Sequence, residues 1–361
     1  MKLLPPPSSR RRSMTSVAFV SCITLLAMLL LLALFSLGAC SGSHCYKGYD
    51  SEYSFDVDAA HNPSWMSTIP DNVNLSSLSI PGTHDTMTYG MPDNIWLQCQ
   101  NHNLSTQLRA GLRYFDIRGR LVNDTIGIYH SIGYTGYTFT DVVRDMFGFL
   151  EENPSEAIIM RLKEEGKPVG DVARDRNRTF EEVFNDFRHT NPETSPGFEK
   201  HLFQPETPSD SSSLPAQSNF LPTLGAMRGK ILLLQNFSSE EGPYGLSWDS
   251  PLMELEDLWV IPSAGHLGEK WDAIEGALDL ARESPDDNSA LYVAHLSAAV
   301  GVLPIEAAAG PRTRKEIRGM NDRTGEWVEE GPGGRTGVVI IDFPGSKLVN
   351  AVIRRNDGLK S

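Results

Sequence analysis

The sequence predicts an α/β chain: an irregular (β/α)8 barrel of the TIM type. Three observations point there. Eight strand-like runs recur after residue 72, with helical or loop segments between them. Several, such as Ile231-Leu-Leu-Leu234 and Val338-Val-Ile-Ile341, are continuously apolar, as strands covered on both faces of a parallel sheet are. Acid–base residues then fall at or near the ends of those runs, the C-terminal rim where barrel enzymes place their chemistry.

Taken in order, Lys2, Arg10, Arg11 and Arg12 precede a stretch whose core, 17–37, is almost wholly apolar, with Gly38, Ala39, Ser41 and Gly42 after it. A basic segment, an apolar run and small residues predict a secretory signal over 1–41. The run reaches the ~20 residues that cross a bilayer, so an uncleaved anchor is the alternative, and Leu37-Gly-Ala-Cys40 is similar to a lipobox. Each reading places the remaining chain outside the cytosol. Residues 42–72 are polar and turn-rich, an N-terminal extension, and 73–361 form the barrel. Strands are expected at 78–80, 114–119, 126–130, 157–163, 230–235, 258–261, 291–296 and 337–343. Helices are expected at 140–152, where Val142, Val143, Met146, Phe147 and Leu150 share a face, and at 180–187, 270–283 and 346–355. The interval from Asp116 to His130 is too short for a helix, hence the irregularity. Residues 204–222, rich in Pro, Ser and Thr, read as a surface insertion and 310–334 as a long excursion.

Net charge is −14. That argues against a nucleic-acid partner, which demands a basic face, and against broad electrostatic adhesion to anionic membranes. A lipid substrate would have to be met by apolar contacts or a small basic pocket. Five Asn-x-Ser/Thr sequons, at Asn74, Asn103, Asn123, Asn177 and Asn236, suit a secreted glycoprotein. Cys22 lies in the apolar run, and in an oxidising compartment Cys45 and Cys99 are expected to form one disulfide. No cysteine shows zinc-finger spacing.

The chemistry concentrates in three segments. His84 and Asp85 end the first run, Tyr114-Phe-Asp-Ile-Arg-Gly-Arg120 forms the second, and Ile128-Tyr-His-Ser131 closes the third. Together they supply two His, two Asp and an Arg from successive strand ends, a set suited to attack on a phosphodiester.

These segments carry a family resemblance. Ser79-Ile-Pro-Gly-Thr-His-Asp85, Phe115-Asp-Ile-Arg-Gly-Arg120, Tyr129-His-Ser131, Ile158-Ile-Met-Arg-Leu-Lys163 and Ile340-Ile-Asp-Phe-Pro344 resemble the catalytic X-region of the bacterial-type phosphatidylinositol-specific phospholipases C, from about residue 78 to 356. The resemblance implies a distorted barrel that cleaves phosphatidylinositol, or a glycosylphosphatidylinositol with the same phosphodiester, to diacylglycerol and inositol 1,2-cyclic phosphate. It implies His84 as base and His130 as acid, Asp342 orienting His84, Asp85 orienting His130, Arg118 neutralising the phosphate and Asp116 hydrogen-bonding within the site. Lys163 and Asp257 would contact inositol hydroxyls, and Trp259 would stack on the sugar. The calcium-dependent signalling relatives carry an acidic ligand at the Arg118 position, so no metal or other cofactor is expected. A monomer is expected. Trp96, Tyr134 and Trp248 are candidates for insertion into a bilayer, and His295 could line the barrel.

The chain departs from the family where a second headgroup arginine should follow the 230–235 strand. Gln235-Asn-Phe237 stands there instead, Arg161 is not an obvious replacement, and a glycan on Asn236 would crowd the mouth. Two rival readings follow: a catalytically silent cell-surface barrel, or a metal-dependent glycerophosphodiesterase, which would need Glu and Asp ligands where Arg118 stands.

Overall fold

A computed structural model describes residues 19, 23–25, 28, 42–170, 178–204 and 221–360. Most of the expected signal over 1–41, most of the 204–222 insertion and the sequon at Asn177 therefore lie outside the described residues. Among the described residues no helix is long and apolar enough to cross a membrane.

Strands β1 (Ile80–Thr83), β2 (Tyr114–Val122), β3 (Ile158–Glu164), β4 (Ile231–Asn236), β5 (Leu246–Ser247), β6 (Met253–Glu256), β7 (Leu291–His295) and β8 (Val338–Ile341) lie in one sheet in the order β6-β7-β8-β1-β2-β3-β4-β5. Every neighbouring pair along that path is parallel. Chain order is thus kept around the sheet, with β8 beside β1 as in a barrel. Among the described residues β5 and β6 share no ladder, which leaves a seam. The middle is the strongest part: Tyr114–Gly119 of β2 pair with Ile159–Glu164 of β3, and Ile158–Lys163 with Ile231–Asn236 of β4. Tyr114, Phe115, Ile117, Ile158, Leu162 and Leu233 on these strands are fully buried; each contributes roughly 1.5–3 kcal/mol of apolar burial. Gly82 is required where β1 meets β2, because a Cβ there would stand 2.5 Å from Tyr114 Cβ.

The expected helices appear as Phe139–Glu152, Phe180–His189, Leu267–Glu283 and Ser346–Arg354. The first two begin with reciprocal caps, Thr138 with Asp141 and Thr179 with Glu182. Four expectations need correction. The 126–130 run forms Thr125–His130, antiparallel to the outer end of β2 and continued by Gly133–Thr138, so it is a hairpin and not a barrel strand. Its two-residue turn, Asn123 and Asp124 at φ 49° and 63°, leaves no room for a crossover. The sixth strand is Met253–Glu256, not 258–261; Val260–Ile261 pairs with Ala299–Val300 in a separate ribbon. Two-residue β5 carries no pattern long enough to read. The 310–334 excursion contains the helix Met320–Glu330.

The segment 42–72 packs into the core through Tyr53, Phe55, Trp65, Met66 and Ile69. At the base of β2, fully buried Arg113 pairs with Glu156 at 2.8 Å and donates to the carbonyls of Leu108, Leu112, Asn62 and Pro63. That arrangement satisfies a buried charge that would otherwise be costly and ties the extension to the barrel. The Cys45–Cys99 bond is not formed. Cys99 is a free, buried thiol, and Cys45 is disulfide-bonded to another residue. Backbone contacts fix Cys99 beneath the rim: its N–H donates to Thr88 Oγ1 at 2.9 Å and its carbonyl accepts from Phe343 N–H at 2.8 Å.

Candidate active site

Three elements reach the rim and each stops in the same manner. Asp85 (φ 41°), Ser131 (φ 54°) and Phe343 (φ 47°) are left-handed, two of them just after His130 and Asp342 and the third just after His84. Each costs on the order of 1–2 kcal/mol in a residue with a Cβ. The turns are held by specific bonds: Asp85 N–H to Asp116 Oδ2 (3.2 Å), Ser131 N–H to Glu165 Oε1 (3.1 Å) and Phe343 N–H to the Cys99 carbonyl. Strand ends bent this way project His84, His130 and Asp342 toward one centre.

The hydrogen bonds fix the His84 tautomer. Arg118 Nη2 lies 2.7 Å from His84 Nε2 and can only donate, so Nε2 carries the lone pair. His84 Nδ1 therefore holds the proton and donates it to Asp342 Oδ1 at 2.9 Å. Arg118 Nε sits 3.1 Å from both Asp116 Oδ2 and Asp85 Oδ1. His130 is held from behind by the Leu97 carbonyl, which accepts from Nδ1 at 2.7 Å. Its Nε2 faces Asp85 Oδ2 at 3.4 Å, and the same oxygen is 3.1 Å from His84 Nε2. The expected orienting role of Asp85 thus falls to Leu97, while Asp85 stands between the two rings. The ring centroids are 6.2 Å apart and nearly perpendicular.

Electrostatics separate the groups. Burial, then the Arg118 charge, push His84 well below an ordinary imidazole, so the ring is neutral at pH 7. Burial works to raise Asp116, but Arg118 and Arg161 override it and hold this carboxyl far below its usual range. Burial works to lower Arg118, and Asp116 and Asp85 more than reverse it. Asp342 is pushed up by burial and by Asp85, and Asp85 by burial against the pull of Arg118. The Cys99 thiol is pushed well up by burial, with Asp342 and Asp85 adding to it.

His84, Asp85, Asp116, Arg118, His130 and Asp342 therefore meet. The expected recognition residues do not join them. Lys163 pairs with Glu165 at 2.8 Å on the rim. Asp257 lies 4.0 Å from His295 Nδ1, and Trp259 is 50% exposed. In their place stand Arg161 and Trp248, for which no headgroup role was expected, and His295, which was expected to line the barrel. Arg161 reaches Asp116 Oδ1 (3.5 Å), donates twice to Asn236 Oδ1 (3.1 and 2.7 Å) and stacks 3.7 Å from the Trp248 ring centroid. Trp248, expected at the lipid surface, is 8% exposed. His295 lies 6.3 Å from His84 ring to ring. One signal for Arg161 was present: Arg161 and Lys163 are two apart in an otherwise apolar strand, hence on one face. Asn236, half-buried at the mouth, has its Oδ1 committed to Arg161. Asn103 caps the helix Leu104–Ala110, and Asn123 sits exposed in the hairpin turn.

Among the described residues three donor sets have ligand atoms within 4.8 Å of one another: His84, Asp85 and Asp116; His84, Cys99 and Asp342; and Asp85, Cys99 and His130. The first is already occupied by the Arg118 guanidinium. Exposed apolar side chains adjoin the site, with Ile95 and Trp96 before Leu97 and with Ile132 and Tyr134 after His130.

The family model for the phosphatidylinositol-specific phospholipase C X domain matches residues 74–236. A 1-phosphatidylinositol phosphodiesterase of Listeria monocytogenes is 31% identical over 305 residues, covering 81% of this chain and 84% of the relative. A Staphylococcus aureus protein of the same name is 26% identical, covering 82% and 93%. The solved phosphatidylinositol-specific phospholipase C from Listeria monocytogenes superposes with a TM-score of 0.59 at 27% identity over 82% of this chain and 99% of that one. A solved structure of the Staphylococcus aureus phosphatidylinositol-specific phospholipase C gives 0.63 at 22% identity over 85% and 99%, a likeness of fold.

Proposed function

This chain belongs to the phosphatidylinositol-specific phospholipase C family, and from that premise we propose that it cleaves the phosphodiester of phosphatidylinositol by intramolecular transfer, releasing diacylglycerol and inositol 1,2-cyclic phosphate. The observation that supports this most is the position of Asp85 Oδ2, 3.1 and 3.4 Å from the inward nitrogens of His84 and His130, with Arg118 bonded to the first ring.

In this reading the lipid phosphate draws Arg118 off His84 and frees the Nε2 lone pair. His84 Nε2 then takes the proton of the inositol 2-hydroxyl as its oxygen bonds to phosphorus. Arg118 meets the negative charge on the non-bridging oxygens with a planar, permanently cationic fork. The bond from phosphorus to the glycerol oxygen breaks, and His130 Nε2 supplies that oxygen with a proton. Asp342 stabilises the imidazolium formed at His84, and Asp85 stabilises the protonated His130 beforehand. Asp116 holds Arg118. Arg161, stiffened by Trp248 and Asn236, supplies a headgroup cation at the mouth. Arg118 makes the reaction independent of a metal. Ile95, Trp96, Ile132 and Tyr134 carry the mouth onto a lipid interface without needing a basic surface, and the apolar leader delivers the enzyme outside the cytosol.

The test is diacylglycerol release from phosphatidylinositol vesicles, with and without a chelator. Full turnover in chelator is expected; abolition by chelator would remove the metal-free reading. Turnover by His84→Ala at the unsubstituted rate would remove His84 as base.

A further inference from the structure

Three acceptors face one another at the centre of the site. His84 Nε2 bears a lone pair because Arg118 donates to it. His130 Nδ1 donates to the Leu97 carbonyl, so a neutral His130 also presents a lone pair at Nε2. Between them lies Asp85 Oδ2, on a side chain only 3% exposed, and this oxygen accepts no hydrogen bond. Such an oxygen calls for a positive partner. Beneath it is the Cys99 thiol, its sulfur within 4.8 Å of both the His130 and Asp85 ligand atoms. No step of the proposed reaction uses Cys99.

We propose that His130 Nε2, Asp85 Oδ2 and Cys99 Sγ form an inhibitory site for a thiophilic divalent cation of the zinc class. The His130–Asp85 separation of 3.4 Å is the ligand-to-ligand edge expected of a tetrahedral ion with bonds of ~2.1 Å. One nitrogen, one sulfur and one carboxylate oxygen select zinc, cobalt or cadmium over calcium and magnesium, which favour oxygen cages. The Leu97 carbonyl has already fixed the His130 tautomer that such a ligand needs. Binding replaces the Nε2 proton of His130 and the Sγ proton of Cys99, both of which leave to solvent. The ion thereby removes the proton that the departing glycerol oxygen requires.

The inhibition rests on the catalytic reading above, whereas the binding does not, so two measurements on the full chain separate them. Cobalt(II) added to the protein is expected to give a thiolate-to-cobalt charge-transfer absorption that Cys99→Ser abolishes. Micromolar zinc is expected to block phosphatidylinositol cleavage, reversibly on adding chelator, while millimolar calcium or magnesium does not. Cys99→Ser is expected to keep its basal rate and to need about tenfold more zinc or beyond. Absence of the cobalt–thiolate band in the unsubstituted protein would overturn the site whatever the enzyme's activity. Unchanged zinc sensitivity in Cys99→Ser would overturn it equally, with Cys99→Ala as a second variant should the serine one fail to fold. A protein that shows the band yet never cleaves phosphatidylinositol would retract the catalytic reading and leave the metal site standing.

Discussion

The two sides of the barrel are built differently. Around β8, β1, β2 and β3 the ladders are continuous, and Tyr114–Gly119 pair residue for residue with β3. Every side chain proposed for the chemistry lies on this side or on the hairpin that extends β2, and each is held by named partners. Around β5 and β6 the ladder shrinks to two residues and then breaks. Asp257 and Trp259, the residues expected to read the headgroup, sit just past β6 with few partners. Phosphoryl transfer demands donors fixed to a fraction of an ångström. Reading a sugar at the mouth tolerates a looser wall that closes on its ligand.

Substitutions should divide along that line. His84→Ala carries the largest expected effect, a fall in kcat of about 10³–10⁴, measured on phosphatidylinositol vesicles. Because burial and Arg118 hold His84 below an ordinary imidazole, the acid limb of kcat/KM in the unsubstituted enzyme should fall below pH ~6.5. A limb above that value would place the base elsewhere. Arg118→Lys comes next, with a loss of about 10²–10³ in kcat: a lysine cannot span His84, Asp85 and Asp116 at once. At the mouth, where Arg161 on β3 reaches across to Trp248 beyond β5, Arg161→Ala should raise KM by about tenfold with kcat little changed, as loss of one headgroup contact worth roughly 1.4 kcal/mol does. A kcat effect as large as that of Arg118 would erase the distinction between chemistry and headgroup recognition.

The smallest expected effect lies away from both sides and leaves activity alone. Asp322, on Met320–Glu330, is raised to about 6, chiefly by burial. Its unfolded value is near 3.9, so above pH 6 the folded state holds a charge that the unfolded state holds more comfortably. That penalty is complete above pH 6 and fades as pH falls toward 4. Asp322→Asn should stabilise the fold by about 1–2 kcal/mol at pH 8 and by little at pH 4, read by denaturant melts at both pH values. A gain independent of pH would assign the effect to packing instead.

The catalytic side was legible in the chain because its residues come from short local motifs at strand ends, where alternation and chain breaks mark both position and direction. His84, Asp85, Arg118, His130 and Asp342 converge as expected. The seam side was not. Met253-Glu-Leu-Glu256 alternates acid with apolar residues and reads as an exposed face, whereas the neighbouring Trp259-Val-Ile261 is more apolar yet leaves the barrel. The hairpin reads as a barrel strand because a parallel and an antiparallel run look alike until the turn between them is weighed. Arg161 comes from β3 and Trp248 from just beyond β5, and their pairing depends on a tertiary approach that no local pattern encodes. The disulfide expectation fails for a similar reason: cysteine arithmetic cannot reveal that Cys99 is buried beside Asp85 and Asp342.

The proposal that two imidazoles and one guanidinium act on a single phosphorus is tested most directly by the identity of the first product. Phosphorus NMR of phosphatidylinositol cleavage in chelator should show inositol 1,2-cyclic phosphate accumulating before any linear monophosphate. A linear inositol phosphate formed from the outset, with no cyclic species preceding it, would mean that water and not the 2-hydroxyl attacks, and would contradict the roles given to His84 and His130.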